Sequence, residues 1–124
     1  MERQPMDLSP ELHPYLELKG QRVFAGRAFK TGEFLERSPV IPIPAEEWSQ
    51  ITQTVLRFYG YPWGKENKDA ALALGKGSFF RNSIHKPAVY FVQQLDFMVL
   101  EFFAARDIKQ GEEITVDRRQ PGQA

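Results

Sequence analysis

A duplicated segment of eleven residues limits the fold of this chain more than any other feature of its sequence. The copies are residues 25–35 and 104–114, and both fit A-x-R-x-Φ-K-x-G-E-x-Φ, where Φ is apolar. In each copy the glycine supplies the backbone freedom of a tight turn, and the apolar residue before the lysine anchors that turn to a core. We expect two equivalent strand–turn–strand hairpins that pack together, rather than one common turn that occurs twice by chance.

The remaining apolar runs are short and are separated by turn residues, which is typical of a mostly-β chain. The predicted strands are 15–19, 23–25, 34–37, 70–74, 88–92, 97–104 and 113–116. Segment 40–44 is also extended, but Pro42 and Pro44 lack the amide donor of a central strand, so we place it at an edge or bulge. Gly75 to Gly77 is predicted to be a turn, because it lacks the pattern of a phosphate-binding loop.

One helix is predicted, beginning at Pro44, where the missing amide hydrogen would have no helical partner anyway. Gly60 and Pro62 are predicted to end it. Its apolar residues recur at helical spacing: Trp48, Ile51, Val55, Leu56 and Tyr59.

Length and composition indicate one domain of 124 residues, with residues 1–14 as a flexible lead, 15–118 as the folded unit and 119–124 as a flexible tail. Sixteen basic and sixteen acidic side chains give no net charge, so we expect no nucleic-acid or membrane partner. The chain has no cysteine and two histidines, too few for most zinc sites, so no metal is predicted. The absence of cysteine and of an apolar leader suits a cytoplasmic protein.

The order of these features resembles the SET domain family, in its short bacterial and viral members that lack flanking zinc modules. The resemblance covers about residues 15–118, almost the whole chain. It rests on the turn that leads into Val23-Phe24-Ala25, the first lysine-glycine-glutamate turn, the helix followed by Tyr59, the stretch 71–80, and the closing stretch 111–117.

This resemblance implies a mainly β (α+β) fold of the β-clip type, with several short sheets and one helix. It also implies an S-adenosylmethionine-dependent protein-lysine N-methyltransferase, in which cofactor and lysine side chain enter from opposite faces and meet in a narrow channel. The implied partners are a lysine-bearing protein substrate and a second copy of the chain in a homodimer. The residues it implies for cofactor binding are Gly20, Arg22, Val23, Phe24, Arg81 and Asn82, and those for catalysis are Tyr59 and Arg118.

Three of these places depart from the family pattern. The Gly-x-Gly turn is Gly20-Gln21-Arg22, and the family's channel tyrosine is replaced by Arg118. Arginine is permanently charged and cannot act as a base. The family's Asn-His-Ser-x-x-Pro-Asn motif can be aligned with this chain in two ways. If Ser83 is matched to the motif serine, Arg81-Asn82 replaces the Asn-His pair. If Pro87 is matched to the motif proline, which we favour, Asn82 keeps the asparagine position.

Several alternatives stay open from the sequence. Tyr59 can also be interpreted as a core residue of the helix. Tyr90 and Tyr61 are alternative candidates for the channel tyrosine. Trp63 is interpreted as a packing residue and His85 as a loop residue. The altered positions favour reduced or absent activity, and the rival hypothesis is a non-catalytic β-clip module that binds a ligand or peptide.

Overall fold

The computed structural model describes residues 15–119 and 121–122, so the predicted lead 1–14 lies outside the described residues. Nine strands and one α-helix make up the described fold, together with short 3₁₀ turns. The helix α1 is Ala45–Ile51. The strands in chain order are β1 Leu16–Lys19, β2 Arg22–Ala25, β3 Phe34–Ile43, β4 Gly60–Trp63, β5 Asp69–Ala73, β6 Arg81–Asn82, β7 Val89–Gln94, β8 Val99–Ala104 and β9 Thr115–Val116.

The strands form a β1–β2 hairpin and a seven-stranded sheet in the order β4-β5-β3-β8-β7-β9-β6. Strand β3 holds the sheet together, because its first half pairs with β8 and its second half pairs with β5. The sequence predicted a separate strand here, followed by an extended segment, but the two form one continuous strand. Pro42 lies in the half that pairs only with β5, so its missing amide disrupts no second ladder, as predicted for an edge.

The two copies of the duplicated segment form matching turns, but the prediction that each is a hairpin is wrong, because the strands that flank each copy do not pair with each other. In the first copy, the backbone N–H of Lys30 donates to the Glu33 carboxylate at 2.8 Å. In the second copy, the backbone N–H of Lys109 donates to the Glu112 carboxylate at 3.1 Å. The spacing of lysine and glutamate is the same in both copies and has a local cause, since the glutamate side chain closes its own turn.

The two copies also bond to each other across the fold. Phe29 and Ile108 exchange backbone hydrogen bonds of 2.9 and 2.8 Å. The N–H of Ala25 donates to the carbonyl of Glu112, and Ala104 donates in the same way to the turn glutamate of the first copy. This reciprocal pairing fixes the β1–β2 hairpin against the end of β8, and so fixes the turn at Gly20 relative to the sheet.

Strand β9 lies between β7 and β6 and runs parallel to both of them. Arg81 is in register with Thr115, and Asn82 with Val116. The segment after β9 therefore leaves the sheet beside Asn82, although the two are far apart in the chain.

The helix is shorter than the apolar spacing predicted. Helix α1 ends at Ile51, and a separate 3₁₀ turn covers Val55–Phe58. Between them, the Thr54 hydroxyl donates to the carbonyl of Ile51 at 2.7 Å and accepts from the N–H of Leu56 at 3.2 Å. These bonds end one helical segment and cap the next, as threonine side chains often do.

The residues predicted to form the buried stripe of that helix are not part of the core. No residue of α1 or of the 3₁₀ turn is buried, and Val55 is 67% exposed. Gly60 and Pro62, predicted to end the helix, lie instead in β4, which pairs with β5. The core lies between the sheets, with edge-to-face contacts that join Tyr61 to Phe91 at 5.0 Å and Phe80 to Phe102 at 4.8 Å.

Candidate functional site

Segments from four parts of the chain enclose an open cavity of about 500 Å³. They are the turn before β2, the 3₁₀ turn before β4, the segment that ends in β6, and the residues after β9. The lining residues are Gln21, Arg22, Arg57, Phe58, Tyr59, Gly60, Ser78, Phe79, Phe80, Arg81, Asn82, Arg118 and Arg119. The cavity thus combines aromatic rings with five arginines, and its volume lies in the range of small-molecule sites.

One carboxylate holds two of the arginines at the mouth of the cavity. Glu113 accepts from Arg22 at 2.7 Å and 3.0 Å, and from Arg81 at 3.1 Å. The hydrogen bond from Arg22, and secondarily that from Arg81, keeps the pKa of the Glu113 carboxyl below its usual value. This shared ion pair ties the turn before β2 to β6, the two segments that carry most of the predicted cofactor-binding residues.

Arg118 points into the site and is held by backbone oxygens. Its guanidinium donates to the carbonyls of Tyr59 at 2.9 Å, Ser78 at 3.2 Å and Phe80 at 2.7 Å. The guanidinium carbon also lies 4.2 Å from the ring centroid of Tyr61, in cation–π geometry. Arg118, which stands at the family's tyrosine position, is therefore held in the fold by its positive charge.

Asn82 positions the backbone of that arginine. Its side-chain oxygen accepts from the N–H of Arg118 at 2.9 Å, while the N–H of Ser83 donates to the carbonyl of Val116 at 2.9 Å. The β6 segment and the residues after β9 are thus joined by backbone pairing and by one side chain. The Asn82 oxygen is thus occupied by a contact within the chain.

A second layer of buried groups supports the cavity wall. The Tyr61 hydroxyl donates to the carbonyl of Gly77 at 2.7 Å, and burial raises the pKa of that phenol to about 12. Gly77 fits closely, since an added methyl group would lie 2.5 Å from the hydroxyl oxygen of Ser38. Below this loop, the backbone N–H of Lys76 donates to the buried carboxyl of Glu36 at 3.1 Å. Two of the three carbonyls that hold Arg118, those of Ser78 and Phe80, come from the same loop.

The structure brings together most of the predicted site residues, but not all. Arg22, Tyr59, Arg81, Asn82 and Arg118 line the cavity. The other three predicted residues do not: Gly20 forms the turn with φ of +65°, Val23 is fully buried in the core, and Phe24 lies half buried under Lys19 and Arg22.

The tyrosines and the two further residues named from the sequence are also placed. The Tyr59 hydroxyl lies 3.5 Å from Gln21, and its side chain is partly buried at the cavity wall, outside the main core cluster. Tyr61 lies beneath the guanidinium, whereas Tyr90 stacks on Phe103 at 5.6 Å. As predicted, Trp63 is a packing residue, 7% exposed, and His85 lies on an exposed loop.

Sequence reasoning missed several lining residues, namely Arg57, Phe58, Phe79 and Arg119. Phe58 and Arg57 fall outside the helical spacing that guided the prediction, and the 3₁₀ turn at Val55–Phe58 turns them toward the site. The described part of the predicted flexible tail is anchored, since the N–H of Gly122 donates to the carbonyl of Phe91 at 2.7 Å.

Comparison with known proteins identifies the family. The sequence profile of the SET domain matches residues 20–117. The chain is 36% identical over 101 residues to the histone H3 lysine-37-specific histone-lysine N-methyltransferase of Schizosaccharomyces pombe, across 81% of this chain and 67% of that protein. The chain belongs to the SET domain family.

Two solved structures show the same fold. A crystal structure of a Plasmodium falciparum protein assigned as a histone methyltransferase matches with a TM-score of 0.62 and 22% identity, over 89% of this chain and 93% of that one. CpSET8 from Cryptosporidium matches with a TM-score of 0.63 and 17% identity, over 88% of this chain and 58% of that one. These matches confirm the mainly β architecture with one helix.

The family implies S-adenosylmethionine as cofactor, and the cavity residues fit most of that molecule. The cavity is lined by the rings of Phe58, Tyr59 and Phe79, and an aromatic face can stack on a purine. Arginines at the mouth suit a carboxylate. Arg118 is the exception, because a fixed positive charge opposes a sulfonium.

Within the described residues, no helix is long and apolar enough to cross a membrane.

Proposed function

We propose that this chain is the catalytic domain of an S-adenosylmethionine-dependent protein-lysine N-methyltransferase, with histone H3 as the first substrate to test. The observation that carries the proposal is the convergence of Arg22, Tyr59, Asn82 and Arg118 on one cavity. The family and the printed activity of the Schizosaccharomyces pombe relative support it.

In this proposal, Arg22 and Arg81 bind the carboxylate of the cofactor, since both are exposed and lie beside one another on Glu113. The amide nitrogen of Asn82 and the rings of Tyr59 and Phe79 hold the adenosine part. When bound, S-adenosylmethionine supplies an electrophilic methyl group. The chain contributes placement, which dominates an in-line transfer between two bound groups.

The charges of the site bear on the substrate amine. A free lysine amine has a pKa near 10.4 and must lose its proton before it can attack. Positive charge nearby lowers the pKa of an amine, because it disfavours the ammonium form. Arg118 and the exposed Arg57 provide such charge at the cavity, so they favour the neutral amine while they oppose binding of the ammonium.

A methyl-transfer assay tests the proposal. Recombinant histone H3 and labelled S-adenosylmethionine are incubated with wild type, Asn82→Ala and the remote surface variant Lys109→Ala. We expect label on lysine with wild type and Lys109→Ala, and a strong loss with Asn82→Ala. Arg118→Tyr should raise the rate by improving amine placement. Absence of transfer with both wild type and Arg118→Tyr contradicts the proposal.

A second function is favoured by one observation, the three carbonyl bonds of Arg118. Arginine replaces the family's tyrosine here, and its charge is already bound within the chain. This arrangement is consistent with a non-catalytic module that retains ligand or peptide binding. In that case, calorimetry would detect binding of S-adenosylhomocysteine or of a histone peptide, while neither wild type nor Arg118→Tyr would transfer a methyl group.

We also propose that the chain functions as a homodimer, in which the partner completes a wall of the lysine channel. Exposed apolar side chains support this proposal, since Val55 and Phe58 are 67% and 61% exposed beside the cavity. Light scattering at tens of micromolar should give a dimeric mass for wild type and a smaller one for Phe58→Ser. A monomeric mass for wild type would contradict it.

A further inference from the structure

The cavity concentrates positive charge in a chain that carries no net charge overall. Five arginines line it, and none of its described lining residues is acidic. Among the described carboxylates, Glu113 bonds to Arg22 and Arg81, and Asp117 bonds to Arg119. Five positive charges thus face two negative ones, which leaves a surplus of three for a ligand.

The arginines at the mouth present their charge to solvent, while their shared carboxylate lies beneath them. The side chains of Arg22 and Arg81 are 59% and 57% exposed, whereas that of Glu113 is 12% exposed. Glu113 takes the Nε of both arginines and the Nη2 of Arg22. At least one terminal nitrogen of each guanidinium therefore has no partner among the described residues, and such nitrogens donate well to phosphate oxygens.

Arg57 adds a charge beside aromatic rings. It has no carboxylate partner in the described part of the chain, and its guanidinium carbon lies 4.5 Å from the ring centroid of Phe58. Phe58 is 61% exposed, and Tyr59 and Phe79 line the same cavity. Arginines interleaved with accessible aromatic rings are the combination that holds nucleotides, because the rings stack on bases and the cations bind phosphates.

This surplus of charge does not match S-adenosylmethionine. That molecule carries a carboxylate, an ammonium and a sulfonium, so it is a net cation at neutral pH. A nucleoside diphosphate carries about three negative charges there, because the second pKa of a phosphate is near 6. It also has an aromatic base. The anion is therefore attracted by the charge that repels the cofactor.

We propose that this cavity binds a nucleoside diphosphate, with the base against the aromatic rings and the phosphates at the arginines of the mouth, in competition with S-adenosylmethionine. Regulation of methyl transfer by this competition rests on the proposed function, whereas nucleotide binding does not. The positive charge is confined to one cavity of a neutral chain, which favours a free nucleotide over a nucleic-acid strand, since a strand follows an extended basic surface.

Calorimetry with ADP, adenosine and pyrophosphate tests the two parts of the ligand. We expect ADP to bind wild type at least about tenfold more tightly than adenosine or pyrophosphate, because it engages both the rings and the arginines. Saturating S-adenosylhomocysteine should abolish the ADP signal. Equal affinities for ADP and pyrophosphate would reduce the site to an anion patch and overturn the proposal, as would the absence of ADP binding at millimolar concentration.

A matched pair of variants locates the ligand. Arg57→Gln and Lys109→Gln each remove one exposed positive charge, the first from the cavity and the second from a remote turn. Arg57→Gln should weaken ADP binding about tenfold and leave adenosine binding unchanged, while Lys109→Gln should change neither by more than about twofold. Equal losses of ADP affinity in the two variants would overturn the proposal, because they would reflect net charge alone.

A nucleic-acid strand is the rival occupant. A single-stranded oligonucleotide of about ten bases should displace ADP no better than free ADP does at equal phosphate concentration. Stronger displacement by the oligonucleotide would identify a strand as the ligand and overturn the free nucleotide.

The nucleotide site and the proposed function can fail separately. If the chain transfers methyl groups, ADP should raise the KM for S-adenosylmethionine and leave kcat unchanged. ADP binding that depends on Arg57, without any methyl transfer, retains the nucleotide site and removes the methyltransferase. Methyl transfer that ADP does not inhibit, with no ADP heat in calorimetry, removes the nucleotide site alone.

Discussion

Glu36 is a buried carboxyl that should make the stability of this domain depend on pH in an unusual direction. It is 0% exposed on β3, where its carboxylate accepts from the Ser38 hydroxyl at 3.2 Å and from the backbone N–H of Lys76 at 3.1 Å. Burial, the dominant cause, raises its pKa from 4.5 to about 7, although these hydrogen bonds act in the opposite direction.

The sign follows from proton binding. The folded protein holds this proton more tightly than the unfolded chain, so protonated Glu36 stabilises the fold below about pH 4.5. That stabilisation is lost as the pH rises through about 7. A shift from 4.5 to about 7, at about 1.36 kcal/mol for each pKa unit, corresponds to about 3 kcal/mol. Carboxyls with lowered pKa values, such as Glu113, act in the opposite sense and at lower pH.

Urea unfolding followed by circular dichroism, at pH values from about 5 to 8, measures this contribution. Wild type should lose about 2.5 kcal/mol of unfolding free energy across that range, because the unfolded carboxyl is already partly ionised at pH 5. Glu36→Gln keeps an acceptor for the Lys76 N–H but has no proton to lose, so its stability should stay nearly flat and exceed that of wild type at pH 8. Glu66→Gln, in an exposed ion pair with Lys68, controls for the loss of a carboxylate elsewhere. Parallel pH profiles for wild type and Glu36→Gln would show that Glu36 does not hold its proton more tightly in the folded state.

Three further predictions concern backbone fit and charge. Gly77→Ala places a methyl group 2.5 Å from the Ser38 oxygen and should cost about 1–3 kcal/mol in urea unfolding; an unchanged midpoint would show that the loop moves freely. Gly32→Ala and Gly111→Ala have φ of +88° and +87° and open space around the added atom, so strain alone should cost each about 1 kcal/mol. Clearly unequal losses would contradict the equivalence of the two turns. Arg118→Gln removes a charge that repels a sulfonium. Calorimetry should therefore show that the affinity for S-adenosylmethionine rises about tenfold relative to the affinity for S-adenosylhomocysteine. An unchanged ratio of the two affinities would place that charge away from the cofactor.

The duplicated segment made its two turns predictable, because they depend on local interactions. The lysine and glutamate of each copy close the turn through contacts three residues apart. The predicted hairpins did not form, because the copies pair with each other instead, as the bridge between Phe29 and Ile108 shows. Short-range chemistry therefore determined the turns, but not the pairing of the strands that flank them.

The helix could not be predicted in full, because its regularly spaced apolar residues do not form a stripe that packs on the core. None of the residues that look like a buried stripe is buried, and Thr54 divides the segment by bonding to the backbone. Hydrophobic periodicity reports an apolar face, but it does not distinguish a core contact from a surface that a ligand or partner covers.

The site was partly predictable. Family resemblance indicated Arg22, Tyr59, Asn82 and Arg118, and all four line one cavity. It did not indicate that Arg118 would bond to three carbonyls, since that depends on how β9 inserts beside β6. Long-range pairing of this kind leaves little trace in local sequence, and the same applies to the ring of Tyr61 beneath the guanidinium.

If distant chain segments build one cofactor cavity, an amide NMR titration with S-adenosylhomocysteine should map its walls. We expect saturable shift changes concentrated at Gln21, Tyr59, Asn82 and Arg118, with little change at the remote turn around Gln110. Changes centred on that turn, or none at millimolar ligand, would contradict it.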